Sequence, residues 1–342
     1  MEAYELKDVY ARLCDDESRM IFENKLLHAL TGDHKYIKKM ALECVCVAQF
    51  ANRVRKGTDK ETVIFGAGVE GKDMVTFFEN VKFSAFVDDI YAGKTAFGLP
   101  ILTQDEFFKR RSAGEFDGAD IIIGSSMRYN AMWERLLAEN VPEDSISGYP
   151  FGIQYFDCPE LVPAPDEVFV DGGTFSGDTV FDFIKWSNNQ YSKIFAFEPD
   201  RENYEVCKKN LEKYDKVELF NNGLWDKRET LRFLGFNKFG GKAGAGFDKA
   251  GEQNISALDL DSALAGERVS FIKLDVEGAE LNALRGMRKI ITEQKPKLAV
   301  CIYHKPEDIW ELPRIVLEYN KDYKLYMRHY CPSDIETVMY AL

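Results

Sequence analysis

The twelve residues Val168–Thr179, VFVDGGTFSGDT, constrain what this chain can fold into more than any other stretch. Val168, Phe169 and Val170 form an apolar run without polar alternation, which suits a parallel strand buried on both faces. Asp171 ends that run. Gly172 and Gly173 remove Cβ atoms where a backbone turns sharply or lets a ligand approach, and Gly177, Asp178 and Thr179 open an amphipathic helix, TVFDFIKW. An acid in that first turn complements the helix dipole. The plain alternative is an ordinary strand-to-helix crossover with a turn glycine.

The spacing is not the GxGxxG of a pyrophosphate binder, and a cofactor without phosphates has no need of a phosphate-cradling turn. S-adenosylmethionine (SAM) is such a cofactor. A second apolar strand, KIFAFEPD, ends in Glu198, roughly 20–30 residues beyond the first, where an acid can accept both hydroxyls of a ribose. A third strand, VELFNNGLWD, ends near Asn221, Asn222 and Gly223, which puts Asn222 among the expected cofactor contacts. Trp225 and Asp226 follow on a loop that commonly meets adenine in such a fold.

Composition bounds the partners. The 342 residues suggest two domains and an extra element, at ~100–200 residues per domain. With 45% hydrophobic and 30% charged residues the chain has the makings of a large core. A net charge of −13 argues against a duplex nucleic-acid binder, which needs a positive surface to displace counterions. Seven cysteines without CxxC spacing read as reduced thiols in a cytoplasm. The acidic start lacks the order of a secretory signal, and no window has the length of a membrane span.

Residues 1–57 show helical periodicity. Leu6, Val9, Tyr10 and Leu13 share one face, and Ile21, Phe22, Leu26, Leu27 and Leu30 a second. Thr31, Gly32 and Asp33 break the pattern before a third helix from about Lys35 to Arg53. His28 and His34 read as packing or surface residues. These helices would pack on the next domain or on a second subunit, which leaves a homodimer open. From Glu61 the pattern becomes β-α-β, and 58–150 reads as a smaller Rossmann-like domain. Gly66, Gly68 and Gly71 form GxGxxG between a strand and a helix, with Asp88 about 20 residues on. FVDDIYAGKTAFGLPIL resembles the nucleotide-binding halves of bacterial sugar acyltransferases, so a nucleotide sugar at Gly66, Gly68 and Gly71 and a purely structural turn are both open. Residues 151–165, rich in proline, read as a linker. Gly235 to Glu252 is a glycine-rich excursion, either a surface loop or a lid.

RVSFIKLDVEGAELNALRGM reads as a buried strand delivering Asp275, then Glu277 and Glu280 at the mouth of a helix. Clustered acids there call for a partner cation or a task; a solvated acidic helix start is the other reading. They would floor an acceptor site, with a divalent cation as a second possibility. KLAVCIYHKPEDIWELP places His304 at the same strand edge, as the general base for a hydroxyl, a role that an unperturbed pKa near 6.5 suits at neutral pH. A histidine that caps the strand end beside Trp310 is the alternative, with His329 and Asp275 as other bases. KLYMRHY and TVMYAL read as an antiparallel strand pair.

Taken together, DGGTFSGDT, FEPD, FIKLDVEGAELNALRGM, YHKPEDIWELP and LYMRHY are similar to the FkbM family of SAM-dependent methyltransferases, over residues 166–342. The resemblance implies a class I methyltransferase core, a seven-stranded Rossmann-like α/β sheet with one antiparallel edge, and methyl transfer from SAM to a hydroxyl of a sugar, glycan or secondary metabolite. It carries the first motif onto Asp171, Gly172, Gly173 and Gly177, the ribose acid onto Glu198, and the fourth-strand motif onto Asp275, Glu277 and Glu280. The family often has an aliphatic residue or Ala where Gly173 stands and no acid after Gly177, so the Asp178 contact is this chain's own variation. The competing functions are a non-catalytic nucleotide-sugar binder or scaffold, and a dehydrogenase using the Gly66 motif, for which no partner set of catalytic residues is visible.

Overall fold

The computed structural model describes residues 3–44, 47–48, 60–125, 128–148, 154–234, 246–247 and 253–342. They fall into two compact units, Met1–Asp33 with Ile153–His329 and Ile335–Leu342, and His34–Gly152 with Tyr330–Asp334.

The smaller unit holds α3 (Lys35–Glu43) and a six-stranded sheet of β1 (Thr62–Phe65), β2 (Phe83–Val87), β3 (Thr95–Ala96), β4 (Leu99–Leu102), β5 (Asp120–Ile123) and β6 (Ile146–Gly148), in the order β3-β4-β2-β1-β5-β6. β1 is buried along its whole length and pairs in parallel with both β2 and β5, as its uninterrupted apolar sequence TVIF requires. The helix Val69–Phe77 follows β1 directly.

The larger unit is built on seven strands: β7 (Glu167–Gly172), β8 (Tyr191–Phe197), β9 (Val217–Phe220), then β14 (Phe271–Leu274), β15 (Lys297–Cys301), β16 (Leu325–His329) and β17 (Thr337–Ala341). Their order is β16-β17-β15-β14-β7-β8-β9. All neighbours are parallel except β17, which runs against both β15 and β16 and makes the antiparallel edge foreseen in KLYMRHY and TVMYAL. Between β9 and β14 lies a four-stranded sheet of β10 (Gly223–Leu224), β11 (Glu229–Leu234), β12 (Gly246–Phe247) and β13 (Gln253–Leu258). Apart from β12, the excursion Gly235 to Glu252 lies outside the described residues.

The core beneath β7 is aromatic. Phe169 and Phe183 stack at 4.2 Å, and Phe271 and Trp186 close on them. Each such side chain contributes on the order of 1.5–3 kcal/mol by leaving water.

Two segments differ from the reading of the sequence. The described part of the expected 151–165 linker is built into the larger unit. Phe156 packs on Phe169, Phe183, Trp186 and Phe271, because an aromatic pair beside the prolines has more to gain from burial than from spanning water. The N-terminal helices also divide. α1 (Ala3–Arg12) and α2 (Asp16–Thr31) belong to the larger unit and α3 to the smaller, with Gly32 (φ 68) ending α2 at the foreseen break. Leu13 makes a parallel bridge to Leu325, Ser18 Oγ accepts from the Met327 amide at 2.8 Å, and Asp15 pairs with Arg328 at 2.7 Å. These contacts cover β16, which otherwise would present an unpaired sheet edge.

Candidate active site

The turn after β7 is held against β14 by its glycines. A Cβ on Gly173 (φ 77) would stand 1.8 Å from the Asp275 carbonyl oxygen, and one on Gly172 2.8 Å from Leu224. Gly177 (φ 89) then caps the helix Asp178–Trp186. Asp171, expected to touch the cofactor, is instead fully buried, 3.1 Å from the Nζ of an equally buried Lys273. Lys273 donates to the carbonyls of Gly173 (2.6 Å) and Gly172 (3.2 Å). Burial opposes the lysine's charge, but Asp171 and then Asp275 outweigh it and raise its pKa. Lys273 thus links Asp171 to the carbonyls of the turn.

Glu198 follows β8, nearly buried, with Oε2 accepting from the Phe175 amide and Oε1 from the Asp200 amide, both at 2.9 Å. It braces the glycine turn, and burial pushes its pKa up to about 7. Asp178 is likewise raised by burial, and Thr179 beside it is buried. Asn221 donates to the Glu198 carbonyl at 2.9 Å, whereas Asn222 turns its amide to the Ser256 carbonyl at 3.2 Å. Glu198, buried, and Asp178, exposed on the first turn after the αL glycine cap, offer acceptors to hydroxyls and ammonium groups. They are the wrong donor set for a phosphate, and the buried cation, Lys273, is already engaged. The residues fit a nucleoside cofactor carrying a ribose and an amino acid.

Across the turn lies an acid cluster. Asp275 accepts from Tyr155 Oη at 2.9 Å and Tyr303 Oη at 3.3 Å. His304, after β15, places Nδ1 3.0 Å from Glu280 and Nε2 3.4 Å from Asp275 and 3.5 Å from Glu277, with the Tyr303 ring 4.1 Å away. Glu277 takes φ 55, an uncommon conformation for a side chain of its size. Burial opposes ionisation of Asp275, but His304 and Lys273 outweigh it and lower its pKa. Burial raises Glu277. Burial alone would lower His304, yet Glu280, Glu277 and Asp275 hold it well above its ordinary value. The sequence reading took His304 with its ordinary pKa; the three acids around it shift it upward from there. His329, the other candidate, is buried on β16 against Thr337 at 2.9 Å, two strands from β15.

Gly71 and Gly124 of the smaller unit are closely packed, whereas Gly68 is open. A Cβ on Gly71 would stand 2.1 Å from the Gly66 carbonyl oxygen, and one on Gly124 2.6 Å from Gly71 Cα. Asp88 accepts from the amides of Ala67, Ile90 and Tyr91.

The sequence reading brought together the turn, Glu198, Asp275, Glu277, Glu280 and His304. It missed Tyr155, Lys273 and Glu336, whose carboxyl burial lifts to about 7 and which Gln154 contacts. The one available signal was Lys273, a cation in an otherwise apolar strand.

This strand order, with a glycine turn after the central strand and an acid after the next, defines a class I methyltransferase fold. Residues 167–330 match the family model of the methyltransferase FkbM domain. A methyltransferase FkbM from Methylobacillus flagellatus KT shares the fold at TM-score 0.51, with 19% identity over 94% of this chain and 99% of that one. Fibrillarin from Aeropyrum pernix, solved with natively bound S-adenosyl-L-methionine, aligns at TM-score 0.36 and 12% identity, over 55% of this chain and 71% of that one. An rRNA methylase from Streptococcus thermophilus aligns at TM-score 0.32 and 15% identity, over 53% and 87%. No curated protein sequence matches significantly. Among the described residues, no helix is long and apolar enough to cross a membrane.

Proposed function

We propose that the protein is a SAM-dependent O-methyltransferase acting on a hydroxyl of a sugar, glycan or secondary metabolite. The observation that carries this is the contact between the Gly173 turn and the Asp275 backbone, which makes the turn and the acid cluster one site. Glu198 would hold the ribose hydroxyls, and Asp178, at the first turn of its helix, the ammonium group. When bound, SAM supplies a methyl group on a positively charged sulfur.

The chain's own residues then position an acceptor hydroxyl and receive its proton. Asp275, oriented by Tyr155 and Tyr303, accepts a hydrogen bond from the hydroxyl. Asp275 takes that proton as the methyl group arrives, and Glu277, more exposed, relays it to water. A cytoplasmic location agrees with Cys14, Cys44, Cys158, Cys207, Cys301 and Cys331 all being free thiols.

The test is calorimetric titration of the purified protein with SAM, followed by methyl transfer from labelled SAM to a panel of sugars and glycosides. Saturable SAM binding with product formation is expected. Binding without transfer to any hydroxyl compound would favour a scaffold, and NAD binding in place of SAM would overturn the assignment.

A further inference from the structure

We propose that Asp275, Glu280 and His304 bind a divalent metal cation, which in turn takes an oxygen of the methyl acceptor. The inference deepens the reading of the acid cluster as an acceptor site and rests on it. One donor atom from each of the three residues lies within 4.8 Å of the other two. His304 Nδ1 stands 3.0 Å from Glu280 and its Nε2 3.4 Å from Asp275. Neighbouring corners of an octahedron with bonds of about 2.1 Å are about 3 Å apart; His304 Nδ1 and Glu280 already have that spacing, and because one ring nitrogen binds a given ion, Asp275 or the ring has to shift to complete the set.

Hydrogen bonding does not account for the cluster. Glu280 is 1% exposed, and its Oε2 is buried without a hydrogen-bond partner among the described residues, while Oε1 is fixed by the Val276 amide at 2.9 Å. Neither ring nitrogen of His304 has a partner in hydrogen-bonding geometry, although carboxylate oxygens stand close by. A carboxylate oxygen buried with no donor is costly, and a cation at the centre satisfies it together with the imidazole.

The donors are also held from behind. Tyr155 and Tyr303 orient Asp275, and the Tyr303 ring packs on His304. Such outer partners are what fix metal ligands in place. Two carboxylates and an imidazole suit manganese, and magnesium less tightly. Three protein donors leave positions for water and acceptor oxygens, and a coordinated hydroxyl loses its proton more readily.

The experiment strips the full-length protein with EDTA and titrates it with manganese(II) chloride. Free manganese is followed by electron paramagnetic resonance, and spin-echo modulation reports a coordinated imidazole nitrogen. One saturable equivalent per chain is expected, with the nitrogen signature present in the wild type and lost in His304→Gln. Glu280→Gln and His304→Gln should each weaken binding about 10–100-fold, and the surface variant Glu318→Gln should bind as the wild type does. If one variant misfolds by circular dichroism, the other variant and the wild-type nitrogen signature decide. No saturable binding at millimolar manganese, or wild-type affinity in both variants, overturns the site. The readout needs neither SAM nor acceptor. Manganese binding without SAM binding overturns methyl transfer alone, and methyl transfer by stripped enzyme that binds no manganese overturns the metal alone.

Discussion

The chain builds the same local device twice, and among the described residues only the copy in the larger unit gathers acids and a histidine beside it. In each unit a buried strand runs into a glycine turn and a helix, the neighbouring parallel strand ends in an acid, and the strand on the other side meets the turn. In the smaller unit that last strand, β5, runs into Gly124, and Asp88 is occupied by three amides. In the larger unit β14 runs into Asp275, and Glu198 sits buried with its carboxyl shifted to about 7. The glycine fingerprint thus encodes a way for a helix to approach a strand. The residue that follows the next strand decides whether the approach also makes a reaction site.

The largest expected effect tests that decision. Asp275→Asn should lower methyl transfer about 100–10,000-fold while leaving SAM affinity within a few-fold, measured by single-turnover kinetics and calorimetry. Full activity in this variant would mean that the two turns do not differ in the way described. Next in size, Gly173→Ala should cost about 2–4 kcal/mol in chemical denaturation, since its Cβ meets a backbone oxygen and its φ is positive. Glu198→Gln should weaken SAM binding about 5–150-fold, as lost hydrogen bonds of about 1–3 kcal/mol predict. Asp88→Asn should leave SAM binding unchanged and act only on stability. Equal effects of the two on SAM would erase the contrast.

A smaller effect follows from the titration of Glu198. Its folded pKa, about 7, lies above the usual carboxylate value. The native state therefore binds the extra proton, and stability from this group falls as pH rises from about 4.5 to about 7. SAM needs the ionised form, so its affinity should be full above about pH 7 and fall by up to about tenfold per unit below it. Calorimetry in buffers of different ionisation enthalpy should show proton release at pH 6 and little at pH 8. A flat profile would take Glu198 out of the ribose contact. Smallest of all, Gly68→Ala should change stability by less than about 0.5 kcal/mol, because nothing lies within 4 Å of its Cβ and its φ is ordinary.

The seven-stranded sheet, its antiparallel edge, the glycine turn and the acids of β14 were legible because each is written in consecutive residues. Val168–Val170 without alternation demands a two-faced burial, and LDVEGAE puts its acids on one turn. Tyr155 left no such trace. It reaches Asp275 across 120 positions, from a proline-rich stretch whose φ of 67 no periodicity announces. Asp171 was legible as the end of a strand, but its partner Lys273 was not, since the pair is made between β7 and β14. The charge state of His304 depends on three acids converging on it, which spacing alone does not show.

The bond between Ser18 and Met327 spans 309 positions, and the Asp15–Arg328 pair spans 313. On the ribosome this means waiting. At roughly 5–20 residues per second, α2 is made about 15–60 s before the strand it covers exists. The smaller unit is synthesised within that interval and has a sheet of its own to form. Any chain interrupted before β16 therefore carries an amphipathic N-terminal stretch with its docking strand missing, a natural mark for chaperones and proteases to read as an unfinished product.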